Sequence, residues 1–241
     1  MEKPAHLHVS VDCVVFGYDD DGLKVLIIDQ RKPQGMDTQP GGAEWQLQAA
    51  LPGDLVLENE SLEEAAARVL HELTGLENIF LKQFHAFGDP DRVRQEKDQK
   101  WLHAFRTEPD IRVMTIAYYG LVSLQDYVPQ PAGFAGNARW LDLGRVPGLA
   151  FDHNRILETA VDTLREQLES HHISFELLPK KFTLSQFQAL HEIVLNKKFD
   201  KRNFRKNVKR MVHIVPLDEK QQGVLHKPAQ LFTYQPDLGK P

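Results

Sequence analysis

Eight basic residues lie between Lys197 and Arg210: Lys197, Lys198, Lys201, Arg202, Arg205, Lys206, Lys209 and Arg210. A single acid, Asp200, accompanies them. Cations at this density suit phosphate neutralisation, and Arg or Asn side chains can read base edges in a major groove. The alternative is a solvated basic face. Glu64, Arg68 and Glu72 recur every four residues, so a helix would place them on one side. Such a row forms ion pairs along the helix. Arg92 and Arg112, which flank a charged insertion, are candidate partners for phosphate or sugar oxygens, against the plainer reading of surface arginines. No Ser/His/Asp or Cys/His arrangement suggests a nucleophile.

Local sequence signals predict the elements that carry these residues. At 100° per residue, Phe204, Val208 and Met211 form one helix face, opposite Arg202, Arg205, Lys206 and Lys209. Asp200 is a plausible N-cap for that helix. Thr183 with Gln186 is a capping box, and Leu184, Phe187, Leu190 and Val194 give the preceding helix an apolar stripe. The tail from Met211 to Tyr234 reads as two strands around a polar turn. Helix, turn, helix and hairpin in this order describe a winged helix-turn-helix, with Arg202 and Asn203 near the start of the recognition helix. His226 and Lys227, before Pro228, would lie in the wing.

Upstream, residues 8–18 and 23–29 read as strands joined at DDDG, residues 19–22. Residues 31–44 read as a loop. Ser61 with Glu64 is a second capping box, followed by the stripe Ala66, Val69, Leu70 and Leu73 and by Gly75 at the stop. Residues 78–88 look extended. Residues 89–111 form a charged insertion with a short helix around Trp101. Residues 112–122 are a strand, 138–143 a shorter one, and helical spacing returns from Asp152.

The chain has 241 residues, 41% hydrophobic and 26% charged, with a net charge of −5. These values exclude low-complexity and wholly disordered classes. The single Cys13 excludes a disulfide scaffold and fits a cytoplasmic protein. No run reaches the ~18 apolar residues of a membrane span. The net charge conceals a division. Residues 180–241 hold 13 basic and 5 acidic residues, a balance of +8, and residues 1–179 balance at −13. Two units with different partners follow: residues 1–170, a linker at 171–180, and residues 181–241.

The segment PGDLVLENESLEEAAARVLHELTGL, residues 52–76, resembles the Nudix box. Glu60, Arg68, Leu70, Glu72, Gly75 and Leu76 match in register, whereas Asp54, Val69 and Leu73 depart from it. The resemblance implies a Nudix α/β/α sandwich with a mixed sheet, an α/β (α+β) fold, joined to the small winged helix-turn-helix domain. Nudix hydrolases use Mg²⁺ or Mn²⁺ to cleave linked diphosphates, and Val69 and Leu73 replace two carboxylates of the metal set. Glu72 is the remaining box carboxylate, with Asp89, Asp91 and Glu96 as substitutes elsewhere.

A degenerate Nudix domain followed by a winged helix resembles the Nudix-related transcriptional regulators. That group implies a nucleotide-sugar, sugar or sugar-phosphate effector. It also implies double-stranded DNA as partner, a homodimer, and no required cofactor. The DNA-binding candidates are Lys201, Arg202, Asn203, Arg205, Lys206, Lys209, His226 and Lys227. The ligand candidates are Arg31, Arg92 and Arg112. Residues 48–51 and 91–111 depart from the group's pattern in loops expected to flank the pocket. The competing expectation is an Mg²⁺-dependent hydrolase of substrates such as ADP-ribose, acting through Glu72. A non-catalytic RNA-binding module is weaker, because the tail lacks exposed aromatic stacking patterns.

Overall fold

The computed structural model describes residues 5–19, 22–31, 48–124, 129–130, 135–170, 175, 177–223 and 227–238. Among them, seven strands build one mixed sheet. The long strands are β1 (Leu7–Asp19), β2 (Gly22–Gln30) and β6 (Arg112–Ser123). The shorter ones are β3 (Ala49–Ala50), β4 (Gly53–Leu55), β5 (Leu81–Phe87) and β7 (Ala135–Asp142). β1 and β2 form the expected hairpin, with Asp19 opposite Gly22. β1 also runs parallel to β6 over twelve residue pairs, from Leu7–Arg112 to Tyr18–Ser123. β1 sits inside the sheet between β2 and β6 and is covered on both faces, which explains its nearly continuous apolar run. The order through the sheet is β3-β2-β1-β6-β5, with β4 also on β1 and β7 on β2.

The two-residue period of the strands feeds two cores. Val11, Cys13 and Val15 point to helix α1 (Leu62–Thr74). Val14, Phe16 and Tyr18 point to the opposite face. There they meet α3 (His153–Ser170) and α4 (Leu184–Val194). Burial pushes the Cys13 thiol above its ordinary range. α1 starts on the reciprocal Ser61–Glu64 capping box and stops at Gly75, which takes the left-handed conformation at φ 71°. The 89–111 insertion contains α2 (Glu96–Phe105), around Trp101 as expected.

The C-terminal unit is α4, α5 (Lys201–Val208), β8 (Ile214–Lys220) and β9 (Gln230–Tyr234). The Thr183–Gln186 capping box is formed, and Asp200 accepts from the Asn203 N–H as the N-cap of α5. β8 and β9 pair antiparallel as the wing. Phe204, Val208 and Met211 all join the large core, as their spacing predicted. Phe175, Leu177 and Leu178 of the expected linker are buried in that core too. This shared core places α4 against the Nudix-like sheet as well as against its own domain. No helix among the described residues is long and apolar enough to cross a membrane.

Candidate functional site

α1 gives little purchase for metal chemistry. Val69 and Leu73 are fully packed under the sheet, where each apolar side chain contributes about 2 kcal/mol by leaving water. Arg68 donates from Nε to Glu60 Oε2 at 2.8 Å, and from Nη2 to Glu60 Oε1 at 2.6 Å. Its Nη2 also donates to the Leu55 carbonyl, and its Nη1 to Glu72 Oε2 at 3.0 Å. The hydrogen bond from Arg68 holds the Glu60 carboxyl below its usual range. The box charges therefore fasten α1 to the loop before it. Among the described residues, no group of three or more His, Cys, Asp or Glu side chains is arranged to hold a metal ion. The set on α1 does not fit Mg²⁺, because two ligand positions are apolar and Glu72 is paired.

Ionisable residues converge instead on a cleft beside Ser10 and Asp12 of β1. Asp12 is a buried acid inside the apolar run of that strand. Arg92, also buried, reaches Asp12 Oδ2 at 3.4 Å and donates to both oxygens of Asp152, at 3.0 and 2.8 Å. The Leu51 N–H donates to His153 Nδ1 at 2.9 Å, so Nε2 carries the ring proton and faces Asp12 Oδ1 at 3.3 Å. Burial pushes the Asp12 carboxyl upward, but His153, Arg92 and Thr115 outweigh it and hold it at about 2. Gly53 lies opposite Asp12. A Cβ there would stand 1.9 Å from Asp12 Oδ1, so this close approach requires glycine.

The insertion forms the cover of the cleft. Val93, Trp101, Leu102 and Arg106 line it from that side, and Ala50 and Leu51 from the 48–51 stretch. Lys97 Nζ donates to the Leu149 carbonyl, and the Phe151 N–H donates to Asp98 Oδ1. Arg106 pairs with Asp54, and its guanidinium lies over the Trp101 ring. Phe151 packs edge-on to Trp101 with φ at 54°, an uncommon backbone state for an aromatic residue. Burial raises the Asp98 carboxyl. The free cavity is about 60 Å³, far below the roughly 300–1,000 Å³ of a site for a drug-sized ligand.

The three candidate arginines occupy different settings. Arg92 is in the cleft, already engaged by two aspartates. Arg112 is half-buried and donates from Nη2 to the Gly88 carbonyl at 2.7 Å. Arg31 is exposed at the end of β2. Sequence reasoning assigns no ligand role to Asp12, Asp54, Asp98, Trp101 or Arg106. The available signal was Asp12 itself, because a charge inside an apolar strand demands a buried partner.

The second candidate surface is α5. Lys201, Arg202, Asn203, Arg205, Lys206 and Lys209 are all exposed and line one shallow groove. Phe204 packs beneath them on Phe187, His191 and Phe199. The turn before α5 is tightly built. Glu192 accepts from Gln188 Nε2, Lys198 Nζ and the Phe199 N–H. In the wing, Lys227 is exposed and His226 lies outside the described residues.

Residues 6–159 match the family model described as the NUDIX domain. The chain belongs to the Nudix family. Residues 174–234 match the NrtR DNA-binding winged helix domain. The chain is 26% identical over 232 residues to the ADPR responsive transcriptional repressor NtrR of Acinetobacter baylyi, covering 94% of this chain and 81% of that protein. It resembles Shewanella oneidensis NrtR solved with a 27mer DNA, at 26% identity and TM-score 0.68, over 95% of this chain and 94% of that one. A MutT/nudix family protein from Enterococcus faecalis shares the fold at 23% identity and TM-score 0.69, over 98% of this chain and 89% of that one. A Nudix domain carrying this winged helix makes the chain a Nudix-related, ligand-responsive transcriptional regulator.

Proposed function

We propose that this Nudix regulator is a repressor that binds ADP-ribose, or a closely related nucleotide sugar, in the cleft between β1 and the 89–111 cover. The observation that carries this reading is the match along nearly the whole chain to a repressor described as ADPR responsive. The cleft supports it with Arg92 and Arg106 as cations for a diphosphate and with the Trp101 and Phe151 rings beside them. Arg112, at the start of β6, and Arg31, at the end of β2, are secondary contacts for the sugar and phosphate ends.

Double-stranded DNA is read by α5. Arg202 and Asn203 face the bases at its N-terminal turn. Lys201, Arg205, Lys206 and Lys209 take phosphates, with His226 and Lys227 in the wing. Two protomers form a homodimer and present two α5 helices to successive major grooves in the cytoplasm. No catalytic cofactor is required, because Glu72 serves Arg68 and α1 offers no ligand set for a hydrolytic step. Thermal unfolding with and without ADP-ribose tests the effector. At 100 times its dissociation constant it should stabilise the fold by about 2.7 kcal/mol. An unchanged transition across ADP-ribose, ribose phosphates and NAD would sink this reading.

A further inference from the structure

The cleft that would take the effector is narrow. Its free volume of about 60 Å³ leaves no room for a nucleotide sugar, so the 89–106 cover has to move before one can enter. The cover carries Arg92, whereas Asp152 immediately precedes α3, its carbonyl accepting from the Ile156 N–H of that helix. Opening the cover therefore separates Arg92 from Asp152. An entering diphosphate favours the same change, because it competes with the aspartates for the guanidinium.

α3 runs for 18 residues from this point, a rise of about 27 Å. In its second turn from the end, Arg165 leaves the helix surface to meet α4. Its Nε donates to the Val194 carbonyl at 3.0 Å, and Asp162 Oδ1 accepts from its Nη1 at 3.1 Å. Val194 closes α4, where carbonyls lack partners within the helix and a cation is favoured. Beyond Val194, the turn to α5 is held by Glu192 on the Phe199 N–H, by Gln188 on the Phe199 carbonyl, and by Asp200 capping α5. Each link from Arg92 to the DNA-facing helix is thus a named polar contact or a rigid helix.

We propose that α3 is the relay between effector and DNA, with Arg92–Asp152 as its input and Arg165 on the Val194 carbonyl as its output. The proposal rests on the effector reading given above. Arg165 is a positioning residue that touches neither ligand. Separation of Asp152 from Arg92 changes the seating of α3, and Arg165 passes the change to the end of α4 and so to α5.

The test uses the full chain, ADP-ribose, and a duplex that the protein itself enriches from a random DNA pool. Duplex affinity is measured with and without saturating ADP-ribose, and ADP-ribose affinity is measured by calorimetry. In the unaltered protein the effector should change duplex affinity by roughly 5- to 150-fold. Arg165→Met keeps the aliphatic stem and removes the donors. It should leave ADP-ribose affinity within about threefold while the effector's influence on DNA falls at least about fivefold. Arg165→Lys, which can still reach the carbonyl, should restore part of that influence. Asp152→Asn should tighten ADP-ribose binding, because the cover opens more readily, and should also weaken the influence on DNA.

A merely structural role for Arg165 would lower duplex affinity equally with and without ADP-ribose. An unchanged ratio of the two affinities in Arg165→Met overturns the relay and leaves the effector reading standing. An unaltered protein that does not bind ADP-ribose, or whose duplex affinity ADP-ribose leaves unchanged, overturns the effector reading and the relay with it.

Discussion

Arg92 donates from Nη2 to Asp152 Oδ1 at 2.8 Å and so ties the first turn of the charged insertion to the residue that leads into α3. The same guanidinium nitrogen faces Asp12, 3.4 Å away on β1. Three elements far apart in sequence meet at one buried cation. Removing it would strand two carboxylates, one of them almost wholly shielded from water. Arg92→Met should therefore destabilise the fold by about 3–5 kcal/mol, the usual cost of breaking a buried ion pair from one side. Urea unfolding followed by circular dichroism measures this. A loss below about 1 kcal/mol would show that water already reaches the pair.

The depressed Asp12 carboxyl makes stability depend on acid. Its folded value of about 2 lies below the ordinary 3.8. The unfolded chain therefore takes up a proton first as pH falls. Asp12 contributes its full stabilisation above the unfolded value and loses it as pH drops through the folded one, a span worth on the order of 2 kcal/mol. Comparison with Asp12→Asn isolates this group. The stability difference between the two proteins should be level from about pH 7 to 5 and should shrink between about pH 4 and 2. A difference that stays constant to the acid limit would contradict the assigned charge state.

Glu72 and Arg68 are partners of unequal weight. Glu72 is half exposed and makes one i,i+4 pair, whereas Arg68 also holds Glu60 through two hydrogen bonds and caps the Leu55 carbonyl. Glu72→Gln should cost no more than about 0.5 kcal/mol. Arg68→Ala should cost about 1–3 kcal/mol, because it leaves the sheltered Glu60 carboxylate without its charged partner, with only the Leu57 N–H still donating to it. Both are measured by chemical unfolding. A larger effect for Glu72 than for Arg68 would return Glu72 to the list of functional carboxylates.

What the sequence made legible was local. Ser61 with Glu64, Gly75, Thr183 with Gln186, and Asp200 mark helix ends because capping acts over three or four residues. Phe204, Val208 and Met211 follow the helical period, so their burial and the outward basic face could be read directly. Val69 and Leu73 were legible as lost ligands, and their burial shows what they gained. The cleft was not legible, because Asp12, Arg92 and Asp152 meet only after β1 pairs with β6 across about 100 residues, and no short-range rule sets that register. Phe175, Leu177 and Leu178 are apolar and buried, yet they sit where the charge balance changes sign, so a division by charge falls on residues that belong to the core.

The exposed face of α5 predicts two kinds of loss on DNA. Arg202, in the first turn after the Asp200 cap, is placed to reach a base edge, and Lys209 lies one residue past the last turn, where phosphate is the accessible partner. Arg202→Ala should weaken binding to the enriched duplex by about 1–3 kcal/mol and relax sequence preference at one position. Lys209→Ala should weaken binding to all sequences alike and lower the slope of log affinity against log salt by about 1. The helix itself should survive both changes, because its packing rests on Phe204 and Val208 from the other side. Fluorescence anisotropy on matched and scrambled duplexes over a salt series separates the two. If Arg202→Ala only lowered the salt slope and left sequence preference intact, α5 would be a phosphate grip, and base reading would have to come from another element.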